Sequence, residues 1–140
     1  MQFMFQMFGS EGDWEASPEE MEGIMEEMSR YNRQMVEAGV LVDGAGLEPP
    51  DTAKTVKFDE SNDAEVSDGP LGNQHLAGYW VVQTDSIEDA VEWMRKAPLR
   101  GTEVEVRPVM GFGEPITVEE FDATEEAGKE ALRKAVEERS

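Results

Sequence analysis

The 140-residue sequence contains no cysteine and only one histidine, His75. The lack of cysteine excludes disulfide bonds, thiol catalysis and Cys-ligated zinc. A single imidazole argues against a metal site built on histidine. The glycine patterns of phosphate and dinucleotide loops and the serine nucleophile elbow are also missing. We therefore expect neither a metal nor a cofactor.

Basic residues are scarce as well. Lys and Arg number 12 against 32 Asp and Glu, which gives a formal net charge of −20. Such a charge repels phosphates and anionic lipids, so we expect neither a nucleic acid nor a membrane partner. Carboxylate-rich surfaces suit concentrated salt, where charge is strongly screened. A halophilic source is one interpretation, and an acidic protein of an ordinary cytoplasm is the alternative.

Long apolar runs are the third absence. No run approaches the roughly 20 residues that a membrane helix needs. The apolar start, residues 1–8, lacks the basic segment and the small-residue cleavage site of a signal peptide. We therefore expect a cytoplasmic protein. The hydrophobic content of 39% in a chain of 140 residues predicts one domain with a single core.

The chain does carry clear strand and helix patterns. Residues 3–8 are apolar on both faces, which predicts a central strand. Ser17 caps a following helix and Gly39 ends it. An apolar stripe at helical spacing, which we assign to the core, runs along this helix. Its members are Met21, Ile24, Met25, Met28, Tyr31, Met35 and Val36.

The remaining elements complete an α+β pattern. They are a strand at 40–42 broken by Gly44 and Gly46, a hairpin of strands at 52–58 and 64–67, a strand at 79–84, a helix capped by Ser86, and a strand at 103–109. The order βαββ(β)αβ is that of a ferredoxin-like fold. It predicts an antiparallel sheet with both helices on one face.

The chain divides into two parts by composition. We expect a ferredoxin-like domain at residues 1–110 and an acidic C-terminal extension at residues 111–140. Thr117 and Glu120 form a capping box, and residues 124–139 are rich in helix-forming residues. The narrow apolar stripe of this helix predicts docking on the domain or on a partner chain.

The second face of the sheet is expected to be apolar, since the first strand and residues 79–84 are apolar on both faces. An exposed apolar sheet is unfavourable in water. A second copy that covers it gives a two-fold homodimer. The dimer would shelter a cavity suited to a small organic molecule.

Several short motifs, in this order, carry a resemblance to a family. They are residues 4–9, Ser17 to Met21, Ala38 to Leu41, Gly46 to Pro49, Asp68 to Leu71, Leu76 to Trp80, and Val104 to Val109. The sequence resembles the YCII-related proteins and, within them, the DGPF-domain branch. The resemblance covers about residues 1–110 and implies a ferredoxin-like, dimeric α/β-barrel. It implies little about activity, although the wider group includes a dehydrochlorinase and genes of the branch often neighbour sigma-factor genes.

Two departures limit what the resemblance implies. The motif that names the branch ends in Phe, and Leu71 stands there in this sequence. The YCII enzymes resemble one another in an N-terminal His and an Asp before a Pro. Here no N-terminal His exists and Ala97 precedes Pro98, so we do not transfer that chemistry.

His75 and Asp68 are the candidates for proton transfer. An imidazole oriented by a carboxylate makes a general base. The alternative is a loop histidine bonded to backbone. The turn Asp68-Gly69-Pro70 is interpreted first as structural, with a loop that rims a pocket beside Leu71 as the alternative.

Five further side chains are candidates for ligand binding, and Leu71, at the end of the turn motif, is one of them. Arg107 has the geometry to hold a carboxylate, and an ion pair with Glu103 or Glu105 is the alternative. The aromatic residues Trp14, Tyr79 and Trp80 suit a flat or apolar ligand, with ordinary packing as the alternative.

Three functions remain open. The first is a homodimer that binds a small organic molecule in a cavity between sheet and helices, with a regulatory role. The second is an isomerase or lyase that uses Asp68 and His75. The third is an interaction module whose acidic extension docks a partner.

Overall fold

The computed structural model describes residues 1–9, 17–110 and 114–138. The chain is an α+β protein with an antiparallel sheet, as predicted. Its elements in the described ranges are β1 (Gln2–Gly9), α1 (Pro18–Glu37), β2 (Leu41–Gly46), β3 (Lys54–Phe58), β4 (Ala64–Asp68), β5 (His75–Gln83), α2 (Ile87–Arg95), β6 (Glu103–Pro108) and α3 (Val118–Glu138).

The main sheet has the strand order β2-β5-β1-β6, and every neighbouring pair is antiparallel. The apolar strand β1 lies in the interior of this sheet, as its sequence predicts. Strands β3 and β4 pair with each other in a separate hairpin. Because β2 and β6 are the two edges of the main sheet, a single chain forms an open sheet. The predicted α/β-barrel is therefore not closed within one chain.

All three helices begin at the predicted caps. The Ser17 hydroxyl accepts the Glu20 N–H at 3.2 Å and the Ser86 hydroxyl accepts the Asp89 N–H at 3.2 Å. At the start of α3, the Thr117 hydroxyl accepts the Glu120 N–H at 3.1 Å. Gly39, just beyond α1, has a φ of +74°, which is the left-handed conformation expected at this position.

The core lies between the sheet and the helices α1 and α2. Phe3 and Phe5 of β1 are fully buried, and Met35 of α1 packs with them. The Trp80 ring meets the Tyr31 ring edge-on, with 5.3 Å between centroids. These large side chains fill the space between the C-terminal half of α1 and the sheet.

Two buried polar groups in this region are satisfied. The Trp80 indole N–H donates to the Asn32 side-chain oxygen at 2.8 Å. The Tyr31 hydroxyl donates to the Trp93 carbonyl at 2.7 Å and so joins α1 to α2. Burial raises the pKa of the Tyr31 phenol above its ordinary value.

Strand β2 is longer than the sequence predicts. It continues through Gly44 and Gly46, which were expected to break it. Gly44 pairs with Trp80, and a Cβ atom there would lie 2.9 Å from the indole ring. Glycine is therefore required by the close approach of the Trp80 ring, and the strand continues because its backbone remains paired with β5.

Residues Val118–Glu138 form one continuous helix, α3, which docks on the body of the chain. Asp122 pairs with Arg33 of α1 at 2.9 Å, and the Arg33 guanidinium lies 5.2 Å from the centre of the Phe121 ring. The Ser29 hydroxyl donates to the Glu125 carboxylate at 2.6 Å. The Ile116 N–H donates to the Leu41 carbonyl at 2.6 Å, so the segment before α3 lies along the outer edge of β2.

The outer sheet face, which the helices leave open, is mixed rather than apolar. Residues paired across antiparallel strands point to the same face. Met4 is paired with both Val81 and Arg107, and Gln6 is paired with Tyr79 and Glu105. Polar side chains thus interrupt the apolar surface that we expected here.

None of the helices in the described residues is long and apolar enough to cross a membrane.

Candidate functional site

A cleft of about 930 Å³ opens on the helix-covered side of the sheet. It lies between the N-terminal half of α1, strand β2 and helix α3, and we call it the α1–α3 cleft. The segment between α2 and β6 closes one end. The cleft is built within one chain, whereas the sequence led us to expect a cavity that depends on a second copy.

The N-terminal half of α1 forms one wall. Met21, Ile24 and Met25 line the cleft and are 38%, 44% and 53% exposed. In the C-terminal half of the same stripe, Met35 and Tyr31 are buried. The assignment of the whole stripe to the core is therefore wrong for its N-terminal half.

The floor of the cleft lacks side chains. Gly44 and Gly46, which we call the glycine floor, line the cleft and are paired with Trp80 and Gly78 of β5. Because Trp80 faces the core, both glycines face the helices as well. The Trp80 indole lies against Gly44, whereas a Cβ atom at Gly46 would meet nothing within 4 Å. The floor is therefore open at Gly46, where a bound molecule can approach the backbone closely.

Helix α3 forms the opposite wall. Phe121 is buried at the inner end of this wall, and Leu132 is 56% exposed at the outer end. Gly128 lies between them, and a Cβ atom at this glycine would meet no atom within 4 Å. The wall therefore has a gap at its middle.

Several polar side chains of the lining already have partners, and Thr102 and Thr124 donate their hydroxyls to the carbonyls of Phe8 and Glu120. Asn32 holds the Trp80 indole and Glu125 holds the Ser29 hydroxyl. Glu27, Arg100 and Lys129 complete the charged groups of the cleft. An apolar lining with a few polar groups is typical of small-molecule sites.

His75 lines a second pocket of about 760 Å³, between the residues that follow β2, the start of β3 and the start of β5. The histidine is 7% exposed, and Pro70 and Leu71 line the same pocket. Leu71 is one of the most exposed apolar side chains, at 75%. The structure brings His75 and the end of the Asp68-to-Leu71 motif to one concave region, and a functional role for them stays a prediction.

Asp68 points elsewhere. Its carboxylate pairs with Lys54 at 2.5 Å across the hairpin, and its side chain is 87% exposed. Within residues 1–9, 17–110 and 114–138, no hydrogen bond joins Asp68 to His75. Proton transfer by this pair stays a prediction. Gly69 has a φ of +102° and donates its N–H to the Ala53 carbonyl at 2.8 Å, which accords with the turn interpretation.

The other candidates lie apart from one another. Arg107 is on the outer sheet face, where its Nε donates to the Glu105 carboxylate at 2.7 Å. The Trp80 side chain lines the α1–α3 cleft, and the Tyr79 backbone carbonyl borders it beside Gly44. The Tyr79 side chain lies on the outer sheet face, where its hydroxyl approaches Asp43 at 3.5 Å. Trp14 lies outside the described residues. In the described part of the chain, no three His, Asp or Glu side chains form a group that could hold a metal ion.

Sequence reasoning missed most of the cleft. Arg100, Gly128 and Lys129 have no motif, and they meet only because α3 folds back onto α1. One signal was available in the glycine floor. Glycines at alternate positions of a strand remove side chains from one face, and Gly44 and Gly46 have this spacing.

Comparison with known proteins identifies the family. A profile of the YCII-related domain matches residues 1–113, and the chain belongs to this family. It is also similar to an uncharacterised protein of Rhizobium meliloti (strain 1021), with 32% identity over 99 residues. The matched region covers 66% of this chain and 78% of that relative.

Proposed function

We propose that this protein binds a small apolar organic molecule in the α1–α3 cleft and that the binding serves a regulatory role. The observation that carries the proposal is the row of Met21, Ile24 and Met25, which faces the glycine floor across open space. The volume of about 930 Å³ lies within the range of ligand pockets, roughly 300–1,000 Å³.

The chemistry of the lining supports this proposal. Methionine side chains are flexible and polarisable, so they adapt to ligands of irregular shape. Asn32 and Glu125 are held by Trp80 and Ser29. Their bonds keep α1 and α3 in position, which lowers the ordering cost of binding.

A pair of glycine substitutions tests the proposal. Gly128→Leu places a side chain in the cleft, and Gly23→Leu adds the same atoms on α1 outside the lining. Both glycines lie inside helices, and a Cβ atom added at either one would meet nothing within 4 Å, so both variants should fold.

The neutral fluorescent reporter N-phenyl-1-naphthylamine should bind the natural protein and Gly23→Leu equally. Gly128→Leu should bind it at least about tenfold more weakly, because the added side chain occupies volume that the ligand needs. Equal binding by all three proteins would contradict this site.

Two finer features of the architecture are part of the proposal. The strand order β2-β5-β1-β6 with two crossover helices supports a ferredoxin-like domain at residues 1–110. A homodimer through the outer sheet face is supported by Met4 and Phe8, which are partly exposed there. Light scattering should give twice the chain mass for the natural protein and the mass of one chain for Met4→Glu. A monomeric natural protein would refute the dimer.

The turn Asp68-Gly69-Pro70 supports membership of the DGPF branch, although Leu71 ends the motif here.

The pocket around His75 favours a second candidate function, proton transfer by this histidine. The buried imidazole in a pocket of about 760 Å³ supports that alternative. The test is conversion of a lactone substrate by the natural protein. Loss of this activity in His75→Gln, with activity kept in Asp68→Asn, would assign the proton transfer to His75 alone.

A cytoplasmic location and adaptation to salt also remain proposals, and the net charge of −20 supports the second. Carboxylate repulsion should limit stability at low ionic strength. The melting temperature should then rise steeply from dilute buffer to molar KCl, where the Debye length falls to about 3 Å. A flat melting temperature would contradict adaptation to salt.

A further inference from the structure

Two basic side chains line the α1–α3 cleft from different elements. Arg100 belongs to the segment between α2 and β6, and Lys129 lies on α3. Both side chains are exposed. They are brought to one opening although 29 positions separate them in the sequence.

Arg100 and Lys129 have no ion-pair partner, like four other basic side chains in the described residues, and what sets them apart is that both line the cleft. With 32 acidic and 12 basic residues, a basic side chain has many carboxylates available for pairing. Five described ion pairs use other cations, namely Arg33, Lys54, Arg95, Arg107 and Arg133. In the part of the chain that the structure describes, neither Arg100 nor Lys129 forms an ion pair or hydrogen bond with protein.

Two carboxylates, Glu27 and Glu125, also line the cleft, and neither forms an ion pair with Arg100 or Lys129 in the described residues. Glu125 accepts the Ser29 hydroxyl at 2.6 Å, so its position is set by α1. Because both cations are exposed, each offers an anion a modest attraction that salt screens.

We infer that the ligand of the α1–α3 cleft is an apolar molecule with an anionic group, such as a carboxylate. The apolar body lies between α1 and the glycine floor, and the anionic group meets Arg100 and Lys129 at the opening. Charge-assisted hydrogen bonds from guanidinium and ammonium groups suit such an anion. This inference rests on the proposed function and specifies the class of ligand for the same site.

The test compares two ligands of the same shape. 2-Naphthoate carries a carboxylate, and naphthalene-2-carboxamide replaces it with a neutral amide. Isothermal titration in dilute buffer should give the natural protein a preference of about fivefold or more for 2-naphthoate, because each exposed cation contributes a modest attraction. Molar KCl should reduce that preference.

Charge-matched variants locate the effect. Arg100→Gln and Lys129→Gln should each lower the preference, and the double variant should abolish it. Lys134→Gln and Arg30→Gln remove the same charge from α3 and α1 outside the cleft lining, so they should keep the preference. Glu27→Gln should raise it, because a competing carboxylate is removed. Circular dichroism would show that each variant is folded.

The outcomes separate this inference from the proposed function. Equal affinity for the acid and the amide, together with binding of N-phenyl-1-naphthylamine, would overturn the anionic ligand and leave the cleft as a binding site. A preference that Lys134→Gln reduces as much as Lys129→Gln would also overturn it, because the effect would then reflect net charge alone. Failure of all three probes to bind would overturn both proposals.

Discussion

The two halves of helix α1 carry the same apolar stripe but meet different surroundings. In the C-terminal half, Tyr31 and Met35 pack on Phe5 and are buried. In the N-terminal half, Met25 and its neighbours face the glycine floor and stay accessible. The difference lies in the sheet opposite, where one half of the helix meets aromatic rings and the other meets glycines. Helical periodicity therefore shows which face turns inward, whereas the opposing residues decide whether the space is filled.

The largest expected effect comes from one substitution made in both halves. Met35→Ala should lower the free energy of unfolding by about 2–5 kcal/mol, because Met35 is 0% exposed and its loss leaves a cavity. Met25→Ala should cost less than about 1 kcal/mol, because Met25 is 53% exposed and surface changes are mild. Urea unfolding measures both values. Similar losses in the two variants would show that the cleft closes in solution.

A smaller effect is expected for glycine-to-alanine substitutions at Gly46 of β2 and Gly78 of β5, which are paired across the sheet. A Cβ atom at Gly78 would lie 2.8 Å from Met7 Cε and 2.9 Å from the Ala45 carbonyl. Gly78→Ala should therefore destabilise the protein by about 1–3 kcal/mol, since the backbone must move. A Cβ atom at Gly46 would meet nothing within 4 Å.

Gly46→Ala should leave the free energy of unfolding within about 0.5 kcal/mol of its original value. It should nevertheless weaken binding of N-phenyl-1-naphthylamine, because the new methyl group enters the cleft. Thermal melts and reporter titration test the pair. A large loss of stability in Gly46→Ala would contradict an open floor.

The smallest expected effect is a pH dependence of stability, and it arises in the C-terminal half of α1, where Tyr31 is buried. Burial raises the pKa of Tyr31, so the folded chain keeps the phenol proton after the unfolded chain has released it. The contribution of Tyr31 to stability is therefore complete below about pH 10 and declines as pH rises toward the folded-state pKa. The decline approaches about 1.4 kcal/mol for each pH unit between the two pKa values.

Tyr31→Phe should remove this part of the alkaline decline and cost about 1 kcal/mol at neutral pH, because the Trp93 carbonyl loses its donor. Tyr79→Phe is the control, since it removes the hydroxyl of the second tyrosine in the chain and should keep the decline. Urea unfolding from pH 8 to pH 11 measures both. An identical alkaline slope in Tyr31→Phe and the natural protein would contradict this role of the buried phenol.

Local signals predicted the elements well. Ser17, Ser86 and Thr117 each cap a helix because a hydroxyl followed by a free N–H three residues later is a short-range interaction. The antiparallel sheet followed from the order of the strand and helix patterns. The failure at β2 has a long-range cause, since Gly44 is required by contact with Trp80, 36 residues away.

The site was harder to predict, because its residues have no common motif. His75 and Leu71 do line one pocket, as their proximity in sequence favours. The α1–α3 cleft depends instead on several contacts that hold α3 against α1, among them Arg33 with Asp122 and Phe121 and Ser29 with Glu125. Tertiary pairing of this kind is not visible in periodicity or composition.

The position of α3 bears on how ligand choice can diverge in this family. The family match ends at residue 113, yet Phe121, Lys129 and Leu132 beyond that point form one side of the cleft. Selectivity can therefore change through substitutions in a terminal segment that the central sheet does not need for its own hydrogen bonding. Under the proposed function, two chains that share the sheet but differ in α3 would line the cleft differently, so similarity over residues 1–113 would not by itself indicate a shared ligand.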